Sequence, residues 1–257
     1  MKTDWNNVAQ WYDNYLEGDD TYQAAVIAPN ILRLIDPKKG KRLLDVACGQ
    51  GYFARLCADK GAEVVGVDQS AVLIEKAKTQ AGEKEFYVVG NAETLDAYKL
   101  EMFDTVFTVL ALENIKNITA VMEGIQQVVK PDGKVVFVLL HPAFRIPQHS
   151  DWGYDSKKTV QYRKVEKYLS EVSIPIELSP FKGKSTHSTG SGQATTTVTF
   201  HRSLQWYMKA FRNAGFAITN IEEWNSHKKS QPGPRQVAED AARKEIPMFL
   251  ALELRKI

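Results

Sequence analysis

From residue 22 to residue 35, apolar side chains return every three or four positions. Ile27, Ile31, Leu34 and Ile35 share one face, and the run stops at Asp36 and Pro37. That spacing predicts an amphipathic helix. Residues 42–47 form a short apolar run, read as a buried strand leading into Gly49 and Gly51, after which Phe53, Leu56 and Cys57 fall at helical spacing. Residues 63–67 predict a second strand ending in Asp68, and Ser70 is placed to cap a helix carrying Leu73, Ile74 and Ala77. Residues 85–89, 103–110 and 134–140 predict the next three strands. Between the last two, Ile118, Val121, Met122, Ile125, Val128 and Val129 make one apolar helix face, ended by Pro131 and Gly133. Short strands alternating with helices imply an α/β fold, a doubly wound and mostly parallel sheet with helices on both faces.

The pattern changes at His141. Valine, threonine and tyrosine rise in residues 159–162 and 195–200, and a Gly/Ser/Thr-rich stretch spans residues 183–197. Residues 141–202 therefore read as an inserted, mainly β or irregular segment with a mobile loop. The alternation then resumes. Leu204, Tyr207, Met208 and Phe211 line a helix face ended by Gly215, and residues 216–224 and 248–254 predict the last two strands. The expected organisation is residues 1–140 for the first half of the α/β domain, 141–202 for the insertion and 203–257 for completion of the domain.

Composition narrows the classes. The 257 residues are 44% hydrophobic and 25% charged with a net charge of +2, an ordinary soluble balance that disfavours nucleic acid. No run approaches the roughly 18 apolar residues of a membrane span, and the polar, acidic N-terminal stretch is not a secretory signal. Cys48 and Cys57 are the two cysteines, too close together for a structural disulfide and too few for a zinc site, so a cytoplasmic setting without a metal is expected.

The chemistry concentrates in Asp45-Val46-Ala47-Cys48-Gly49-Gln50-Gly51. Here a strand turns sharply into a helix, and glycines let a ligand press against backbone N–H groups at the helix N-terminus. Asp68 ends the following strand, 23 residues after Asp45, where a carboxylate accepts both hydroxyls of a ribose. Taken alone, Gly49-x-Gly51-x-x-Ala54 is equally a dinucleotide fingerprint. Asp45 separates the readings, because a carboxylate before the glycines attracts a cationic amino acid moiety and repels pyrophosphate. Asn91, Ala92 and Glu93 follow the third strand and suit an adenine edge.

With these motifs in view, the chain resembles the class I S-adenosylmethionine (SAM)-dependent methyltransferases, in their type 11 small-molecule group, over nearly its whole length. Asp45-x-Ala47-x-Gly49-x-Gly51 is similar to the family's glycine motif, with alanine at the first glycine position. The resemblance implies a Rossmann-like seven-stranded sheet with a reversed last strand. It also implies a SAM site in which Asp45 meets the methionine amino group while Ala47, Gly49 and Gly51 lie along the methionine portion. Asp68 would hold the ribose, and Gln69 would flank the adenine with Asn91, Ala92 and Glu93. Leu110 and Leu112 would end the fourth strand beside the sulfonium. Trp5, Trp11 and Tyr12 resemble an N-terminal helix that closes over the cofactor. S-adenosylhomocysteine (SAH) would be the product.

Methyl transfer needs an acceptor atom in line with the sulfonium methyl, and a base only where the acceptor arrives protonated. Candidates at strand ends are Glu113 and Asn114 after the fourth strand and His141 after the fifth. The insertion offers aromatics to cover a flat small-molecule acceptor. Its nine lysines and arginines against five acidic residues leave room for an anionic one. The expected activity is transfer of a methyl group to O, N or C of that acceptor. A nicotinamide-dependent oxidoreductase with a similar glycine turn, and a methyltransferase acting on RNA or protein, stay open, as does a homodimer.

Overall fold

The computed structural model describes residues 18, 20–98, 100–178 and 195–257. Its centre is a seven-stranded sheet: β1 (Arg42–Val46), β2 (Glu63–Asp68), β3 (Glu85–Val89), β4 (Phe103–Val109), β5 (Val129–Leu140), β10 (Phe216–Trp224) and β11 (Phe249–Lys256). Their order is β10-β11-β5-β4-β1-β2-β3. β1 pairs in parallel with β2 and β4, whereas β11 runs antiparallel to both β5 and β10. The reversed last strand thus lies between the fifth strand and β10, in the seven-stranded mixed α/β arrangement expected.

Period-two alternation builds the core on both faces of this sheet. Leu44, Val106, Phe137 and Leu252 point to one side, where α4 (Ile118–Val128) and α5 (Leu204–Asn213) cover them. Leu43, Phe107, Val136 and Ala251 point to the other. There α1 (Ala28–Ile35), entered through a π-helical turn (Gln23–Ile27), packs with α2 (Tyr52–Asp59) and α3 (Ala71–Thr79). Asp36 closes α1 in the left-handed conformation, and the Ser70 hydroxyl accepts the Leu73 N–H at the start of α3. Among the described residues no helix is long and apolar enough to cross a membrane.

Two elements depart most from the expectation. β5 begins at Val129 rather than Lys134. Val129 is fully buried and pairs with Phe103, and the ladder then jumps to Thr105 opposite Lys134, leaving the Pro131–Gly133 turn outside the register. A further helix, α6 (Gln236–Glu245), buries only Ala242, so its sequence carries almost no hydrophobic face to betray it.

Between β5 and α5 the chain leaves the sheet and forms two antiparallel ribbons. One pairs β6 (Ser150–Asp155) with β7 (Val160–Val165), the other β8 (Val172–Leu178) with β9 (Thr195–His201). Arg145 and Arg163 flank the Trp152 ring at 5.3 and 5.2 Å. Arg235, just before α6, lies over Tyr154 at 4.5 Å and ties the first ribbon to the C-terminal part of the chain. Most of the Gly/Ser/Thr-rich stretch, and Trp5, Trp11 and Tyr12, lie outside the described residues.

Candidate active site

A cleft of about 320 Å³ opens at the C-terminal ends of β1, β2 and β4. Sheet order reverses between β1 and β4, the position where open α/β sheets receive ligands. Three left-handed residues shape the floor: Ala47 (φ 60°), Gly49 (φ 57°) and Gly51 (φ 78°). The turn is pinned by Cys48 N–H donating to Val67 O at 3.1 Å and by Gly51 N–H donating to Cys48 O at 3.0 Å. Ala47, where the resembled motif has glycine, holds a conformation that costs a residue with a Cβ about 1–2 kcal/mol. Leu110, at the end of β4, is left-handed too (φ 52°).

Two buried carboxylates face the cleft. Asp68 accepts from Gly49 N–H and Ser70 N–H, each at 2.9 Å. Burial raises its pKa, and these two hydrogen bonds hold the rise back. Asp45 is 2% exposed and its Oδ2 has no partner. Burial, and then the charge of Asp68, push its carboxyl well above the usual range. Further round the rim, Asn91 Oδ1 accepts from Glu93 N–H at 2.9 Å and Glu93 Oε1 accepts from Asn117 N–H at 2.8 Å. With Asp45, Asp68 and Glu93 against one lysine, Lys116, the lining favours a cation and opposes pyrophosphate.

Ten of the residues singled out from the sequence line this one cleft: Asp45, Ala47, Gly49, Asp68, Gln69, Asn91, Ala92, Glu93, Leu110 and Asn114. Gly51 does not; it caps α2 and packs under Tyr87. Leu112 is fully buried in the core behind the cleft. Lys116 and Phe200 join the lining without having been anticipated, and so does Cys48 from within the glycine turn. Burial and the nearby Asp45 and Asp68 charges keep the Cys48 thiol protonated. Tyr87 fills the space behind the turn. A methyl group on Gly66 would lie 2.6 Å from its ring and 2.8 Å from Cys48 Sγ.

The structure places neither His141 nor Glu113 on the cleft. His141 is 2% exposed, its Nδ1 accepts Ala143 N–H at 3.2 Å, and its Nε2 lies 2.7 Å from Glu223 Oε1. Both ring nitrogens are committed, so the imidazole braces the turn after β5. Glu113 sits in a 3₁₀ turn (Leu112–Asn114) that sends Asn114 into the cleft and Glu113 away from it. Thr199 on β9 donates to Asn114 Oδ1 at 3.0 Å, which brings the second ribbon and its Phe200 against the cleft.

Residues 44–137, which hold this turn, match the family model described as a methyltransferase domain. This segment is a methyltransferase domain. It is 35% identical over 105 residues to the ubiquinone biosynthesis O-methyltransferase of Salmonella paratyphi A, a match covering 40% of this chain and 43% of that protein. The chain thus spans less than half the length of that relative. In fold it is similar to the SAM-dependent methyltransferase of Mesorhizobium loti, with a TM-score of 0.66, 24% identity and coverage of 93% and 99% of the two chains. It is also similar to the glycopeptide N-methyltransferase MtfA complexed with SAM, with a TM-score of 0.58, 15% identity and coverage of 90% and 93%. The seven-stranded sheet around the methyltransferase domain has the class I methyltransferase fold.

Proposed function

We propose that this chain is a SAM-dependent methyltransferase that moves a methyl group to O, N or C of a small-molecule acceptor. The observation that carries the reading is Asp45, whose buried Oδ2 has no partner and shares a cleft with Asp68. A protein interior leaves a carboxylate oxygen unmatched only where something else matches it. A cationic amino group does so, and a pyrophosphate does not. The residues present fit SAM. Asp45 would hold the amino group, Asp68 would offer its remaining lone pairs to the ribose, and Asn91, Ala92 and Glu93 would border the adenine. Bound there, SAM supplies an electrophilic methyl group on a sulfonium.

The protein's own contribution is placement. Residues 141–202 would cover the acceptor, with Phe200 and Asn114 bounding the end of the cleft beside Leu110. In-line positioning of a bound acceptor contributes up to about 7–11 kcal/mol. The names of the relatives include O- and N-methyltransferases, so the atom methylated stays open between O, N and C. The test is calorimetric titration of the purified protein with SAM, SAH and NAD in parallel. Micromolar binding of SAM or SAH with no NAD signal is expected. NAD binding without SAM would point instead to a nicotinamide enzyme.

A further inference from the structure

Seven buried side-chain polar atoms lack a partner among the described residues. Gln23 Oε1 and Asp45 Oδ2 belong to the main cleft. Three others, Glu113 Oε2, Arg145 Nε and Arg202 Nη1, come from residues around one second cavity of about 20 Å³. Phe200 is common to both cavities and forms the wall between them. Leaving one such group unmatched costs about 1–3 kcal/mol, more when it is charged, so a cluster of three calls for an occupant.

The surroundings specify its charge. Arg202 is 4% exposed and its ring neighbours are Phe200 and Trp206, at 5.3 and 4.8 Å. Its Nη2 donates to Ile115 O and Lys116 O, at 2.9 and 2.7 Å, which fixes the guanidinium in place. Its Nη1 stays without an acceptor in hydrogen-bond geometry, although the Tyr207 hydroxyl is close by. Arg145 has no acidic partner among the described residues; burial and the cations Arg163 and Arg243 push its guanidinium down to about 10. The one carboxyl in the cavity is Glu113, which burial raises to about 7. Near neutrality a large share of it is uncharged acid, able to donate an O–H. The cavity therefore presents donors.

We infer that the second cavity is a subsite for the carboxylate of an acidic acceptor, gripped by Arg145 and Arg202 while the rest of the molecule reaches past Phe200 toward the main cleft. The inference rests on the methyltransferase reading above. The space holds about one water, which suits one oxygen of a carboxylate and is small for a phosphoryl group. Guanidinium–carboxylate hydrogen bonds are charge-assisted and specific in geometry, so a neutral isostere is refused.

The experiment uses the full chain, with SAH affinity measured first and separately; no SAH binding would sink the methyltransferase reading and leave the subsite test standing. Benzoate and benzamide are then titrated, with and without SAH, while the indole N–H signals of Trp206 and Trp152 are followed by NMR. Benzoate is expected to shift both signals and saturate in the millimolar range, with benzamide at least tenfold weaker. Arg145→Met should weaken benzoate at least tenfold and leave SAH affinity unchanged, and Arg202→Met should weaken benzoate at least tenfold. Because Arg202 also ties two carbonyls, Arg202→Lys serves as its folded control, and melting curves accompany every variant. Equal responses to benzoate and benzamide, benzoate binding that survives in the arginine variants, or no response up to about 50 mM would overturn the proposal and leave the cavity to a buried water.

Discussion

Asp45→Asn separates the cost of the site from its use. Asp45 is buried, its Oδ2 is unmatched, and burial together with Asp68 raises its pKa well above the ordinary 3.8. A carboxyl raised in this way makes the folded chain hold a proton that the unfolded chain releases. Stability of the ligand-free protein therefore falls as pH climbs from about 4 through the raised value. The loss at pH 7 has a ceiling, because the group can always stay protonated, at a cost of about 4 kcal/mol from an ordinary value of 3.8. Removing the charge should stabilise the ligand-free protein by up to about 4 kcal/mol at pH 7, read as a rise in Tm. The gain should shrink toward pH 4, where the unfolded carboxyl begins to hold its proton as well. The same substitution removes a charge-assisted contact to the ligand's amino group, worth about 1.5–3 kcal/mol, and should weaken SAM about ten- to a hundredfold. Melting curves at pH 4.5 and 7.5, with calorimetric titration of SAM, test both halves. A variant that melts no higher than the parent at pH 7.5, or that keeps full SAM affinity, refutes the reasoning.

Two further substitutions probe the scaffold. Ala47→Gly relieves a left-handed φ of 60°, and it should raise the denaturant midpoint by the equivalent of about 1 kcal/mol; a lower midpoint would mean that the turn is not strained at this residue. His141→Ala should lower stability by about 2 kcal/mol through its two lost hydrogen bonds while leaving SAH affinity within about twofold. Burial lowers the His141 pKa below its ordinary 6.5 against the opposing pull of Glu223. The parent should therefore lose stability on acidification below about pH 6.5. Melts from pH 5 to 8 should show the Ala variant without that contribution, and slowed turnover at unchanged stability would instead give the imidazole a chemical role.

The centre of the sheet is legible in the sequence because β4, β5 and β11 are buried on both faces over most of their length and read as apolar runs. The expected strand over residues 216–224 coincides with β10 to the residue, and the Asp45–Gly51 turn is readable from its glycines alone. The Val129 strand start was hidden because one valine both ends a helix face and opens a ladder five residues before the pairing resumes. α6 was hidden because its apolar residues are one exposed valine, Val237, and three alanines, of which only Ala242 is buried. The acceptor side resisted for another reason. In the Leu112–Asn114 turn a single residue decides which cavity a side chain enters, and hydrophobic pattern cannot resolve one residue. Arg145 and Arg202 lie 57 positions apart, and only the return of β9 brings them to one cavity.

Tyr87 carries an evolutionary consequence. Its ring and the Cys48 thiol together occupy the volume that any side chain at Gly66 would need. Positions 48, 66 and 87 therefore form one heritable block spread over three separate segments. A descendant that trims Tyr87 while keeping Gly66 inherits a void beneath the turn, and one that enlarges residue 66 while keeping Tyr87 inherits a clash. Diverging lineages should exchange the three together or not at all, leaving a correlated signature in the packing beneath the cleft's floor.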